Sequence, residues 1–402
     1  MFECAIVGGG IHGTYLVQRL LEDTDLRRED VRLVDPNERL LASFRRKARA
    51  CEMEAMRSTF VHHVGTEPFG LESFAEARDR EDELLPTPGY PRRPSLSLFL
   101  DYAEYVIDGR DLESLHRRAA VETIEECGDG GDGIVLETTD GSIRARSCVL
   151  AIGRGGRYRT PDWADGIDAI THVWDGFDPD ASAGETVVVG GGVTAARLAT
   201  CLADRESVTL LSRRGLEVAA IEADPRWINW NHVERRLHRH PPGSRARAET
   251  VREARNDATI PPTLFDRLGE AVEDGGLTIR TDEVRFAHPI DDRVRLLPAD
   301  GGCLSADRVA LATGFAPVFS HPFVDRVAGE LGLEWGYRGM PVLDDETLAW
   351  RRTDGGRSSV FVTGALAAGT VGPFAGNVAG ARRAADRMAA PIAAGETLLP
   401  AD

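Results

Sequence analysis

Apolar residues recur along this chain in two rhythms, and the pair of rhythms occurs twice. The first apolar run, Cys4-Ala5-Ile6-Val7, leads into Gly8-Gly9-Gly10-Ile11-His12-Gly13. Leu16, Val17, Leu20 and Leu21 follow at the spacing that puts them on one face of a helix. A second short run, Val31-Arg32-Leu33-Val34, ends at Asp35. Further on, strands are predicted over 134–137 and 143–152, joined by a turn at Asp140-Gly141 and closing on Ala151-Ile152-Gly153. In the second half, Val187-Val188-Val189 runs into Gly190-Gly191-Gly192-Val193-Thr194-Ala195, and a helix carries Leu198 and Leu202. The run 208–211 then ends at Ser212-Arg213. Strands at 277–280 and 294–297, a turn at Asp300-Gly301-Gly302, and a strand over 308–313 close on Ala312-Thr313-Gly314. The repeated order predicts an α/β protein with two three-layer units, each with its own antiparallel meander.

Three segments stand outside the repeat. The proline-rich stretch 84–95 reads as a loop, and so does 238–247, with Pro241-Pro242-Gly243. The end, 390–402, reads as a frayed tail. The uncharged stretch 360–381 holds five glycines and a proline, which argues against a membrane span and for a buried strand, a glycine turn and a helix start.

Charge narrows the partners. Acidic residues number 65 and basic ones 48, a formal charge of −17. Such a surface disfavours nucleic acid and anionic membranes. Lys47 is the single lysine, the other 47 basic residues being arginines, and with so many acids this fits a salt-adapted, halophilic protein. The six cysteines, Cys4, Cys51, Cys127, Cys148, Cys201 and Cys303, form no C-x-x-C pair. They read as scattered buried thiols of a reducing cytoplasm, and no signal peptide precedes the first strand. No metal-ligand spacing is present.

The glycine turns carry the chemistry. A dinucleotide pyrophosphate sits on a helix N-terminus, where backbone N–H groups and the helix dipole favour negative charge. Gly8 permits the tight turn, Gly9 lies between, Gly10 lets phosphate approach, and Gly13 lets helix and strand pack closely. Asp35, 22 residues beyond Gly13, is placed to accept ribose hydroxyls and to repel a 2′-phosphate, so the first turn suits FAD or NAD. The second turn, Gly190, Gly192 and Ala195, is followed by a strand ending in Ser212-Arg213-Arg214. Arginine there suits the 2′-phosphate of NADPH. Near the C-terminus, Thr363-Gly364-Ala365 and Gly372-Pro373-Phe374 precede a helix whose N-terminus can face a flavin ring.

Taken together, the first turn with Asp35, the second with Arg213, Ala312-Thr313-Gly314-Phe315-Ala316-Pro317 and the Thr363-Gly364 segment resemble the flavoproteins with two dinucleotide-binding domains. Within that group the stretch Met56-Arg57-Ser58-Thr59-Phe60-Val61-His62-His63, with 69–74 and 96–102, is similar to the lysine and ornithine N-monooxygenases. The resemblance implies two Rossmann-like domains: a discontinuous FAD domain, 1–160 and 310–402, and an NAD(P)H domain, 161–309. It implies that NADPH reduces FAD, that dioxygen adds to the reduced flavin, and that the flavin hydroperoxide hydroxylates the nitrogen of a small amine or amino acid. The contacts it implies for the cofactors fall on Gly8, Gly9, Gly10, Ile11, His12, Gly13, Asp35, Ser58, Gly153, Gly190, Gly192, Val193, Thr194, Ala195, Ser212, Arg213, Thr313, Gly314, Gly364, Gly372, Pro373 and Phe374.

The chain also departs from that pattern. Ile11 stands where proline usually follows the third glycine, Ala151-Ile152-Gly153 lacks a threonine, and Gly166 and His172 are followed by Trp174 and Phe177 at altered spacing. His62, His63 and Asn377 are the candidates for catalysis, each with a plain structural alternative. Trp227 and Trp230 read as core aromatics or a substrate wall. Two rivals stay open: an NAD(P)H-dependent flavin reductase passing electrons to a quinone or protein, and a non-catalytic FAD-binding redox sensor.

Overall fold

The computed structural model describes residues 1–128 and 133–395. The first sheet has eight strands. Its spine runs Ala349–Arg351, Arg357–Val362, Ile143–Leu150, Phe2–Val7, Val31–Asp35, His116–Arg118. The inner pairs of that spine are parallel, and Val121–Glu126 and Ile134–Thr138 extend it as an antiparallel meander. Cys4 to Val7 are buried, as a strand covered on both faces must be. Two helices, Ile11–Asp23 and Val378–Ala393, pack on each other and on Phe2–Val7, so the two ends of the chain share one core.

The second sheet has five parallel strands in the order Leu277–Thr281, Ser207–Ser212, Glu185–Val189, Arg308–Leu311, Ile170–His172. Beside it lies a separate antiparallel meander, Val284–Ile290, Arg293–Pro298 and Leu304–Ala306. The strands of the repeat thus lie where the alternation of rhythms predicts. Arg308–Leu311 belongs wholly to the second sheet, so a border at 309/310 cuts a strand, and the change of unit comes after Leu311.

Two linkers join the units side by side. Arg159 N–H donates to Gly314 O at 2.9 Å, and Ala316 N–H to Arg157 O at 3.1 Å. Elsewhere the contact is made by arginines reaching across to backbone carbonyls. Arg57 donates to Ala219 O at 2.6 Å, Arg197 to Glu52 O at 2.8 Å and Arg255 to Pro373 O at 2.6 Å. Arg383 donates to Ile228 O at 2.8 Å and Arg247 to Gly369 O at 3.1 Å.

The segments outside the repeat are more ordered than their composition suggests. Residues 84–95 form a hairpin, Leu84–Thr87 paired with Tyr90–Pro94, not a loop. The ribbon stands apart as a two-stranded sheet, where proline's missing N–H costs little, and Gly89 takes the turn at φ +76°. In the segment 238–247, residues 239–244 are the expected loop, held between a helical turn that ends at His238 and a helix, Arg245–Ala254, that begins inside the segment. The last helix continues to Ala393, and the rest of the expected tail, 396–402, lies outside the described residues. Of the cysteines, Cys4, Cys51 and Cys148 are buried, Cys127 and Cys201 are half-buried, and Cys303 is exposed beside the Asp300-Gly301-Gly302 turn.

Candidate functional site

Each glycine turn ends a central strand and begins a helix. At Gly8, φ is +119° and a Cβ would collide with the carbonyl oxygen of Ala151. A Cβ on Gly13 would collide with the Gly8 carbonyl. Gly10, by contrast, caps the helix with nothing within 4 Å of where its Cβ would stand. That open side, beside free helix N–H groups, is the space a pyrophosphate needs.

Asp35 closes the same turn. Its Oδ2 accepts Gly9 N–H at 2.7 Å, and its Oδ1 accepts the backbone N–H and side-chain amide of Asn37 at 2.8 and 2.7 Å. The carboxylate is therefore held at the strand end with lone pairs to spare for a ribose. His12 Nδ1 shares a hydrogen bond with Thr363 Oγ1 at 2.8 Å, while its Nε2 is buried without a partner among the described residues. Burial holds the ring neutral, with a pKa pushed down to about 4. Gly364, at φ +76°, lies against Gly153, at φ +62°, so the C-terminal segment meets the first sheet beside this turn. Ile11 packs on the core of that unit.

The second turn repeats the geometry with one difference. A Cβ on Gly190 would collide with the Ala312 carbonyl and press on Ala195, which is buried. The outer side of Gly192 is bounded by Ala258, whose Cα would be 3.6 Å from a Cβ placed there. Ser212 is buried beneath Gly191, and Arg213 points outward, 64% exposed and 3.9 Å from Glu283. Thr313 Oγ1 donates to Arg159 O, and Gly314 takes φ +82° in the linker.

Between the units lies a cavity of about 440 Å³. Met56, Arg57 and Ser58 line it from the first unit, and Val193, Thr194 and Arg197 from the second. Phe44, Met53, Trp174 and Leu264 add apolar wall. Sequence reasoning missed most of these residues, because they come together only through the packing of the units. One signal was available: Lys47, the single lysine, lines the cavity.

The other candidates sort by their surroundings. His63 is wholly buried. Its Nδ1 accepts Gly65 N–H at 3.2 Å, its Nε2–H donates to Pro68 O at 3.3 Å, and its ring meets Tyr102 edge-on. Both nitrogens are thus committed to backbone, which leaves none for substrate. His62 shares a hydrogen bond with Thr59 Oγ1 at 3.2 Å. Burial, with Arg382 nearby, pushes both rings down to about 4. Asn377 begins the last helix without a side-chain capping bond. Gly372 turns at φ +92° against the Trp227 ring, and Phe374 packs with Trp227 and Trp230 in a small core. The tryptophans are therefore core aromatics rather than a substrate wall, and Pro373 presents its carbonyl to Arg255. His172 stacks on Tyr158 at 4.7 Å and its Nε2–H donates to Gly314 O, so it braces the linker. Among the described residues no group of three His, Cys, Asp or Glu side chains is set to hold a metal, and no helix is long and apolar enough to cross a membrane.

Residues 5–155 match the family model described as FAD-NAD(P)-binding. That matched stretch holds the first glycine turn and Asp35. No curated protein matches the sequence. Among solved structures, the ornithine N-hydroxylase KtzI of Kutzneria sp. 744, named with reduced FAD, NADP+ and L-ornithine, is similar with a TM-score of 0.77. It is 18% identical over 98% of this chain and 99% of its own. The L-lysine 6-monooxygenase of Pseudomonas syringae gives 0.72 at 18% identity, over 98% of this chain and 100% of its own. A bacillithiol disulfide reductase of Bacillus cereus gives 0.61 at 16%, over 98% of this chain and 99% of its own. At these identities the likeness is one of fold. The open turn at Gly10, the fixed Asp35 and the unpartnered His12 Nε2, all within the matched residues, fit a flavin dinucleotide.

Proposed function

We propose that the chain is an FAD-dependent, NADPH-using monooxygenase that N-hydroxylates a small amine or amino acid. The observation that carries this reading is the shared cavity. It is walled by Ser58 and Met56, from the unit of the first glycine turn, and by Val193 and Thr194, which begin the helix of the second. Two dinucleotides held on those turns would meet there. FAD, when bound, supplies the redox chemistry: it takes a hydride from NADPH and delivers one atom of dioxygen to the amine nitrogen.

The chain's own residues bind and exclude. Gly10 and the N–H groups of Ile11–Asp23 hold the flavin pyrophosphate, and Asp35 its ribose. Arg213, 64% exposed and only loosely held by Glu283 at 3.9 Å, meets the 2′-phosphate of NADPH. Phe44, Met53, Trp174 and Leu264 keep water from the reacting nitrogen. Glu222 is the carboxylate at the cavity wall for the substrate's ammonium group, with Arg57 4.0 Å away.

A reductase is the second reading, favoured by the likeness to the bacillithiol disulfide reductase. The thiol at the cavity opposes thiol chemistry: burial pushes Cys51 up to about 11, where it is not a nucleophile. The deciding experiment follows NADPH loss, oxygen uptake and peroxide together, with ornithine, lysine, cadaverine or no amine. The proposal expects an amine to speed NADPH oxidation while peroxide falls below the NADPH consumed. Peroxide equal to NADPH with every amine, and acceleration by a quinone or disulfide, would establish the reductase instead.

A further inference from the structure

Five cationic residues line the cavity, Lys47, Arg57, Arg93, Arg197 and Arg267, against two carboxylates, Glu54 and Glu222. Both carboxylates stand beside arginines. Arg197 and Arg267 share Glu54, and Arg57 stands beside Glu222. Lys47 Nζ has no hydrogen bond or ion pair with any described residue. Its Nζ instead lies 5.4 Å from the centre of the Phe315 ring and 5.9 Å from that of Tyr158. The same Phe315 ring has a second cation 5.5 Å from its centre, the Arg154 guanidinium, which also lacks a bonded partner among the described residues. Phe315 stacks on Trp174 at 4.6 Å, and Trp174 Nε1, at the cavity wall, is buried without a partner.

This arrangement is costly without a ligand. An ammonium drawn out of water needs an anion, and a ring face returns only part of that loss. Neighbouring charge adds to the cost at Lys47 through Arg46 and at Arg154 through Arg255, which Asp257 offsets in part. The chain has 65 acidic residues, and among the described residues none of them is felt by Lys47. It also uses arginine at every other basic position, so a compact ammonium stands only here.

We infer that Lys47, at the cavity wall and 5.4 Å from the centre of the Phe315 ring, is a receptor for an oxyanion, phosphate or carboxylate, of the ligand that fills the cavity. This deepens the proposed function and rests on the cavity being a ligand site. Two sources carry such an oxyanion: the pyrophosphate of the nicotinamide dinucleotide and the α-carboxylate of an amino-acid substrate. Trp174 Nε1–H, buried without a partner at the same wall, would be a second, neutral donor to it.

The test uses FAD-loaded wild type, Lys47→Met and Lys47→Arg. Binding of NADP+ and NAD+ is titrated by flavin fluorescence, and KM is measured for L-ornithine and L-lysine against putrescine and cadaverine, the same amines without carboxylate. Because Lys47 is the single lysine, its acylation by an amine reagent is also read by peptide mass spectrometry, with and without NADP+, ornithine or inorganic pyrophosphate. We expect Lys47→Met to weaken one class about tenfold or more, Lys47→Arg to restore most of it, and the same class to protect Lys47 from acylation. Equal loss for NADP+ and NAD+ identifies the pyrophosphate. A raised KM for ornithine and lysine alone identifies the carboxylate. Changes under twofold in every binding constant and KM, or protection by no probe, overturn the inference. A wild type that binds NADP+ through Lys47 yet hydroxylates no amine would sink the proposed function and leave this receptor standing.

Discussion

Arg247 is the most informative residue to remove for stability. It is fully buried, in the helix Arg245–Ala254, and it ties that helix to the C-terminal part of the first unit. Nη1 and Nη2 grip Asp345 Oδ1 and Oδ2 at 2.6 Å each, Nε donates to His240 O at 2.9 Å, and Nη1 also donates to Gly369 O at 3.1 Å. Arg247→Met keeps much of the volume and removes all four bonds. Two carbonyls then lose donors, at about 1–3 kcal/mol each if they stay dry. The Asp345 side chain, 26% exposed, rehydrates in part, so its loss falls below that of a fully buried carboxylate. The sum expected is about 3–5 kcal/mol, the range for breaking a buried pair. It is read as a lower urea midpoint at unchanged slope, and as earlier release of flavin fluorescence on heating, because Gly369 leads directly into the Gly372 turn. The double variant Arg247→Met/Asp345→Leu should recover part of the loss. A drop under about 1 kcal/mol for the single variant would refute the view that this pair joins the units.

Four further outcomes are expected. Gly13→Ala drives a methyl into the Gly8 carbonyl, so the purified protein should be colourless or insoluble, while Gly10→Ala, with open space around it, should fold and bind FAD weakly. Arg213→Ala should raise the KM for NADPH about tenfold and leave that for NADH within twofold, the low end for a charge-assisted contact because the side chain is exposed. Stability should fall with acid: burial holds His12, His62, His63 and His172 near pKa 4, against 6.5 when unfolded. The unfolded chain then binds more protons between those values, so stability is complete above pH 6.5 and is lost towards pH 4. The loss is up to about 2 kcal/mol per histidine by pH 5, and urea midpoints that do not move between pH 7.5 and 5 would contradict it. Iodoacetamide should label Cys303 within minutes and leave Cys4 and Cys148 untouched in the folded protein, as peptide mass spectrometry would show.

The sheets and both glycine turns were legible in the sequence because backbone geometry there admits little else. Gly8 and Gly13 are glycines since a methyl has nowhere to go, and the flanking apolar runs are buried on both faces. The site was legible only where it is local. Asp35 lies at a fixed distance from its turn, whereas the cavity draws Lys47, Trp174 and Thr263 from three remote segments. The hairpin at 84–95 was hidden because four prolines mask a ribbon whose edges need few N–H groups. Arg247 was hidden because arginine is ordinarily a surface residue, and only Asp345, 98 positions away, makes its burial tolerable.

The joint between the units is built largely from guanidinium groups resting on peptide oxygens, as at Arg57, Arg197, Arg255 and Arg383. These carbonyl acceptors carry no net charge, and the carboxylates Glu54 and Glu222 stand by Arg197 and Arg57 respectively. Counter-ions weaken a pair of opposite charges over roughly 8–10 Å at ordinary ionic strength, but they have far less hold on a short contact between a cation and a carbonyl dipole. The spacing of the two dinucleotide turns should therefore be nearly indifferent to salt. The exposed bridges Arg49–Asp180 and Arg205–Glu52, which span or flank the same seam, fade as salt is added. Ionic strength would then soften the outer edge of the joint and leave its reach across the cavity unchanged.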